Sequence, residues 1–337
     1  MDDVAHVAHR LDPTTGLSWT PLQAADLPEV SGLLTAIEHL DEPVERHTLE
    51  TIEAAFHQAY RPPAENALIG RDPGGQAVAY GWNYLSPGDV DVRRVYLTGG
   101  VHPGWRGRGV GRQLLEWQMS RARAHHRETW QPGFGSLRMV CFVDDHLVDR
   151  RNLYLANGFT PVRWSVDMSQ QFAADLPEVQ LPHDLEIVRF TPDMAEAVRQ
   201  CHNRCFAEHE GAAEVGPDAW QERLGRDTFH ADWSYVARVV ATGEIVGYAL
   251  NSGYEEDWEA QGFTEGWTDH LGVLPGWRGR GLATALLATS MTTFRRHGLE
   301  GAGLGVDFFD ETRGRGLYES VGYKVAHTSI MYARTEA

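Results

Sequence analysis

Two stretches of this 337-residue chain carry the residue types that grip phosphate. Pro103 to Gly109 reads PGWRGRG, and the same letters return from Pro275 to Gly281. Glycine lets the backbone turn tightly and brings consecutive N–H groups close to a ligand. A helical pattern follows each stretch. Its unpaired first amides and the positive end of its dipole would face the same point. Together these features make a diphosphate cradle, to which Arg106, Arg108, Arg278 and Arg280 add charge. Related phosphate motifs fail: no Lys-Ser or Lys-Thr follows, and Arg112 and Thr284 stand where a dinucleotide fingerprint needs its third glycine. Both copies satisfy R-x-x-G-x-[GA]. The expected binding residues are therefore Arg106, Gly107, Arg108, Gly109, Val110 and Gly111, and Arg278, Gly279, Arg280, Gly281, Leu282 and Ala283. Trp105 and Trp277, inside the loops, either pack on the following helix or border the ligand.

The elements that must hold these loops recur in one order in both halves. In the second, LEIVRF (185–190) is a strand and a helical pattern runs through Cys205. Two strands then meet at Thr242-Gly243, a turn dipeptide between β-branched runs. A strand ending near Val273 leads into the loop. Leu282, Leu286, Leu287, Met291 and Phe294 follow at helical spacing, with Gly298 as the stop. GAGLGVDFF, TRGRGLYESVG and YKVAHTSIMYA finish as strand, helix and strand. The first half repeats this from LSWTPL to TPVRWSVDM, and LYLANGF (153–159) answers LYESVGY (317–323). The expected division is a tail over 1–16, a domain over 17–170, a linker over 171–183 and a second domain over 184–335. The class is α/β, duplicated rather than a solenoid.

Composition narrows the function classes. A formal charge of −17 argues against a nucleic-acid partner. No apolar run is long enough for a membrane span, and the acidic start is no signal peptide. Three cysteines are too few for a disulfide framework and predict a reducing cytoplasm. Of Cys201, His202, Cys205 and His209, the pairs Cys201–Cys205 and Cys205–His209 are spaced i,i+4 on one helix face, which alone makes a poor tetrahedron, so no metal is expected. The same helix is a candidate wall for an acceptor cleft, with Glu208, His209 and Glu210 near its mouth.

The paired R-x-x-G-x-[GA] loops, the valine-ended strand before each and the later LYxxxG[FY] resemble the GCN5-related N-acetyltransferases, the GNAT superfamily. The resemblance covers nearly the whole chain and is similar to the two-domain acetyltransferases of actinobacteria. It implies two tandem GNAT-like domains, each a mixed, mostly antiparallel sheet flanked by helices. It also implies acetyl-CoA as donor, a small-molecule amine as acceptor, and direct attack in a ternary complex. The oligomeric state, monomer or homodimer, stays open. The family's tyrosine falls on Tyr318 and, in the first half, on Tyr154. Its backbone oxyanion donor falls at Leu271. Val273, and Val101 in the first half, would meet the pantetheine arm through the main chain. The family often has an asparagine at the end of the next strand; here Asp310 stands nearest.

Strand alternation points Trp267, Asp269, Leu271 and Val273 one way and His270 the other. Asp269 is the ionisable group on that face, as proton acceptor or as a strand-end residue bonded to amides. The matching first-half residues, Val95, Leu97, Gly99 and Val101, cannot accept a proton. That asymmetry predicts a working second domain and a first that binds CoA poorly or structurally. The acidic Glu255, Glu256, Asp257, Glu259 and Glu265 either gather a cationic acceptor or form a solvated loop. The competing function is an acyl-CoA sensor or scaffold without turnover.

Overall fold

The computed structural model describes residues 15–43, 46–57, 63–85, 92–172, 176, 181–207, 214–308 and 315–336. The tail over 1–14, most of the expected linker, and Glu208, His209, Glu210 and Asp310 lie outside them. The chain forms two compact units. One joins residues 1–164 to 329–337, and the other is 165–328.

The first unit opens with β1 (Ser18–Pro21), α1 (Leu27–Asp41), α2 (Leu49–Phe56) and the short α3 (Pro63–Asn66). β2 (Ala67–Arg71) and β3 (Ala77–Leu85) follow, then β4 (Val92–Val101), α4 (Val110–Glu128), β5 (Ser136–Asp144) and α5 (Val148–Ala156). The sheet order is β1-β2-β3-β4-β5. β3 is buried over seven consecutive residues, as a strand covered on both faces must be. α1 places Leu27, Val30, Leu33, Leu34 and Ile37 in a core with Ile69, Tyr80 and Trp82.

β6 (Thr160–Gln171) passes into the second unit. There β7 (Leu185–Arg189), α6 (Ala195–Phe206), α7 (Pro217–Leu224), β8 (Tyr235–Val239), β9 (Ile245–Ser252), α8 (Glu255–Gln261), β10 (Glu265–Val273), α9 (Leu282–Arg296), β11 (Gly301–Phe308) and α10 (Arg315–Ser320) follow in turn. The order is β6-β11-β10-β9-β8-β7. The apolar stripe read from the sequence is the buried face of α9, and Gly298 ends it at φ +83°. Among the described residues no helix is long and apolar enough to cross a membrane.

The units differ from the contiguous halves read from the sequence. The last strand, β12 (Lys324–Glu336), gives Ser329–Glu336 to the first unit's sheet, antiparallel to Asp144–Leu137 of β5. Arg123 fastens it by two 2.7 Å bonds to Glu336. Ser165–Gln171 of β6 belongs to the second unit, where Ser169 donates to Glu265 at 2.9 Å and Phe172 N–H to the Glu300 carbonyl at 2.8 Å.

Candidate active site

Each glycine loop follows a strand that has parted from its neighbour. β10 pairs in parallel with β11 from Glu265↔Gly301 to Thr268↔Leu304, yet β10 runs on to Val273. β4 pairs with β5 from Val92↔Ser136 to Tyr96↔Val140 and runs on to Val101. Past these points one edge of each strand faces an opening. Alternation fixes which amides face it. Leu274 N–H bonds to Val246 across β9, so Leu271 and Val273 turn theirs the other way, into the opening. His102 N–H bonds to Val78, which does the same for Gly99 and Val101.

The loops share one backbone. Gly107 and Gly109 have φ of +73° and +83°, Gly279 and Gly281 of +75° and +78°. A Cβ at any of the four would meet nothing within 4 Å. Glycine is thus needed for the left-handed turn, and the space it leaves is open to a ligand. Gly109 and Gly281 are the N-caps of α4 and α9, whose first amides have no carbonyl within the helix.

The arginines have structural partners. Arg106 and Arg278 each donate Nε to the carbonyl of the valine ending the strand, at 3.2 Å in both units. Arg106 also grips buried Asp41 with two nitrogens, at 2.6 and 2.9 Å, whereas Arg278 takes the Cys205 carbonyl at 2.9 Å. Arg108 lies over Trp105 and Arg280 over Trp277. Arg108 bonds to the Gly104 carbonyl and Arg280 to Asp184. Both tryptophans pack on core residues, the first of the two alternatives. Val110 and Leu282 bury their side chains, so Val110, Leu282 and Arg108 offer the loop their main chain. In the first unit a cavity of about 720 Å³ opens along this loop, lined by Val101, Arg106, Gly107, Gly109, Gly111 and Tyr154, among others.

These loops are matched in known proteins. The profile described as "Acetyltransferase (GNAT) family" matches residues 195–323, and that described as "Acetyltransferase (GNAT) domain" matches 64–161. The chain belongs to the GNAT acetyltransferases, with two such domains in tandem. A curated relative, Mycothiol acetyltransferase of Thermobifida fusca, is 27% identical over 83% of this chain and 83% of its own. A GCN5-related N-acetyltransferase from Sphaerobacter thermophilus superposes with a TM-score of 0.70 at 22% identity, over 95% of each chain. A tandem GNAT protein from the clavulanic acid biosynthesis pathway gives 0.61 at 18% identity, over 95% of this chain and 98% of that one. These two likenesses show the fold.

Asp269 sits where GNAT geometry departs from simple alternation. The register of β10 on β9 slips between Thr268 and His270, which leaves Asp269 as a bulge residue. The slip changes the phase. A Cβ on Gly272 would run into the Tyr248 ring on the α6 side, so Leu271 and Val273 point towards α9. Asp269 instead accepts from Ser252 and from the Tyr254 hydroxyl, the latter at 2.8 Å. Ser252 shares a face of β9 with Tyr248, whose hydroxyl lies 2.6 Å from His202 on α6. Asp269 is therefore on the α6 face, away from the side chains of Leu271 and Val273. His270, expected on the opposite face from Asp269, joins it. Its ring lies 5.6 Å from His202 and 6.4 Å from Trp220 of α7. In the first unit β4 pairs without a slip, and Asp269 has no counterpart there.

Burial first, then the charge of Arg223, pushes His270 down to about 4; burial and then His270 push His202 to about 4. Both are neutral at pH 7. Burial and the bond to Asp269 raise Tyr254 to about 12. Tyr318 on α10 and Tyr154 on α5 are both raised, chiefly by burial, and so keep their protons at neutral pH. They are equivalent: Tyr323 and Phe159 N–H close on their carbonyls at 3.1 Å. Of the acidic run, Glu255, Glu256, Asp257 and Glu259 are exposed on α8. Glu265 is buried against Ser169 and is not part of a rim. Sequence reasoning missed Ser252 and Tyr248 of β9 and Tyr254 just after it, which have no motif. His202 lay in a stretch read only as a cleft wall.

Proposed function

We propose that the chain transfers acetyl from acetyl-CoA to the primary amine of a small cationic acceptor, with the chemistry in the second unit. What carries this reading is the parted edge of β10. It turns the Leu271 and Val273 amides into the opening just ahead of the glycine loop, while the bulge presents Asp269 on the α6 face. The loop amides suit a diphosphate. The Val273 amide suits a pantetheine carbonyl. The Leu271 amide is placed to hold the carbonyl oxygen as it gains charge.

Asp269, held by Ser252 and Tyr254, takes the proton of the incoming ammonium. Neutral His202 and His270 add no positive charge of their own to the acceptor face, where Arg223 lies 3.4 Å from the His270 ring. Tyr318 supplies its proton to the leaving sulfur. The exposed carboxylates of α8 start one residue after Tyr254 and favour a cationic acceptor. The name of the Thermobifida fusca relative puts mycothiol-type acceptors at the head of the substances to try.

The test is release of free CoA thiol with a panel of amines at low and high salt. The expected result is turnover favouring cationic amines, weakened by salt, and lowered roughly a hundredfold or more in kcat by Asp269→Asn. CoA binding with no amine-dependent release would support the sensor reading instead.

A further inference from the structure

The acceptor face of the second unit carries a cation that the transfer just described does not use. Arg223 stands in the last turn of α7, half-buried. A basic residue suits that end of a helix, but this one reaches across to β10. Its Nη1 lies 3.4 Å from His270 Nε2, and its guanidinium carbon lies 5.9 Å from the centre of the Trp220 ring. His202 backs the same wall, with its ring 5.1 Å from Trp220 and 5.6 Å from His270.

Arg223 is positioned, and its charge is unanswered. Among the described residues no carboxylate pairs with it, whereas Arg199, Arg204 and Arg238 pair with Glu196, Glu244 and Glu186. The acids of α7, Asp218 and Glu222, stand off the i±3 and i±4 positions that would reach it. A guanidinium has five N–H donors, and the contact with neutral His270 is a long one to a single nitrogen. Arg226, exposed just beyond the helix, adds a second positive charge felt at His270. The second helix of the first unit, α2, contains no basic residue. The cation therefore goes with the unit that has Asp269.

Its place relative to Asp269 defines the ligand. The bulge sets two consecutive residues, Asp269 and His270, on the same face of β10. A carboxylate that can take an ammonium and a guanidinium that can take an anion thus stand about one residue apart along one strand. A molecule that meets both has its amine and its anion a few bonds from each other. An amine without an anion would bring a further positive charge beside Arg223. The planar fork of arginine matches a carboxylate through two parallel N–H bonds.

We propose that the acceptor is an amino acid, with its ammonium on Asp269 and its carboxylate on Arg223, which makes Arg223 the specificity-determining residue. The proposal rests on the reading that acetyl-CoA is the donor and that Asp269 receives the amine, and it adds the negative end of that molecule. Asp269 takes one proton from the ammonium. The freed lone pair forms the C–N bond to the thioester carbon. The C–S bond breaks with its electron pair on sulfur, which takes the Tyr318 proton, and the second nitrogen proton returns to the tyrosinate. Ammonium plus thioester give amide plus thiol, with one proton left on Asp269.

The experiment measures thiol release from acetyl-CoA by the full chain with L-phenylalanine, L-leucine and L-lysine, each beside its own amide, and with glucosamine. The quantity read is the ratio of kcat/KM for acid to amide within each protein. Comparing that ratio between wild type and variant cancels the difference in amine basicity, and a variant that folds less well loses both members of a pair alike. At least one acid should be turned over, with a ratio that falls tenfold or more in Arg223→Gln. Arg223→Lys should lie between, because lysine keeps the charge and loses the fork. A ratio unchanged by Arg223→Gln would overturn the proposal. So would turnover of glucosamine or the amides with none of the acids, which would leave the cationic-amine reading standing. No release with any amine would overturn the transferase reading and this proposal with it.

Discussion

Gly281→Ala separates the two things the repeated loop is asked to do. Gly281 has φ +78° and ψ 4°, and a methyl there would touch nothing within 4 Å. No clash has to be relieved, so the folding cost is the left-handed backbone alone, about 1–2 kcal/mol. For a unit of this size each kcal/mol shifts Tm by roughly 2–4 °C. Gly243, in the turn between β8 and β9, gives a matched control: φ +73° and nothing within 4 Å of its added Cβ. Gly243→Ala should show the same loss of Tm. Only Gly281→Ala sets a methyl where a diphosphate would approach the amides. Losing one charge-assisted bond there costs about 1.5–3 kcal/mol, or roughly ten- to a hundredfold in KM for acetyl-CoA. The assay is thermal melting beside steady-state kinetics at varied acetyl-CoA. Equal Tm losses with unchanged KM in both variants would refute the cradle, because the open space at Gly281 would then have no occupant.

Two further outcomes follow from the site. Tyr318→Phe should lower kcat by about a hundredfold while leaving KM for acetyl-CoA near its wild-type value, as loss of a proton donor rather than a binding group predicts; a rise in KM alone would point to packing. The neutral histidines make stability depend on pH. His202 and His270 titrate near 4 in the folded chain and near 6.5 when unfolded, so the unfolded state binds more protons between those values. Stability is greatest above about pH 6.5 and falls as the pH drops towards 4. A His270→Gln variant should lose less Tm over that window than the wild type, measured by melting from pH 7 to pH 4.

The glycine loops and their helices were legible because their signal is local: a repeated heptad of letters, a stripe of leucines, a stop glycine. The hairpin at Thr242-Gly243 was legible for the same reason. Asp269 was found by counting in twos from Val273, yet its face and that of His270 depend on a bulge whose cause is spread over two strands. Charge on the loop arginines was legible; that Arg106 spends its charge on Asp41, 65 positions away, was not. The ring stack of Tyr84, Tyr96 and Phe142 escaped for a similar reason, since the three come from three strands and meet only once those strands pair.

The final strand bears on how the protein is made. Arg123 and Glu336 are 213 positions apart, and β5 has no partner on its outer side until Ser329–Glu336 arrives. A ribosome therefore releases the first unit with a bare sheet edge, an invitation to mispairing, for the whole time it takes to build the second. Cutting the gene at its midpoint would not yield two working halves. Each piece would lack a strand that the other carries, and a short deletion at the carboxyl end would do its damage in the amino-terminal unit.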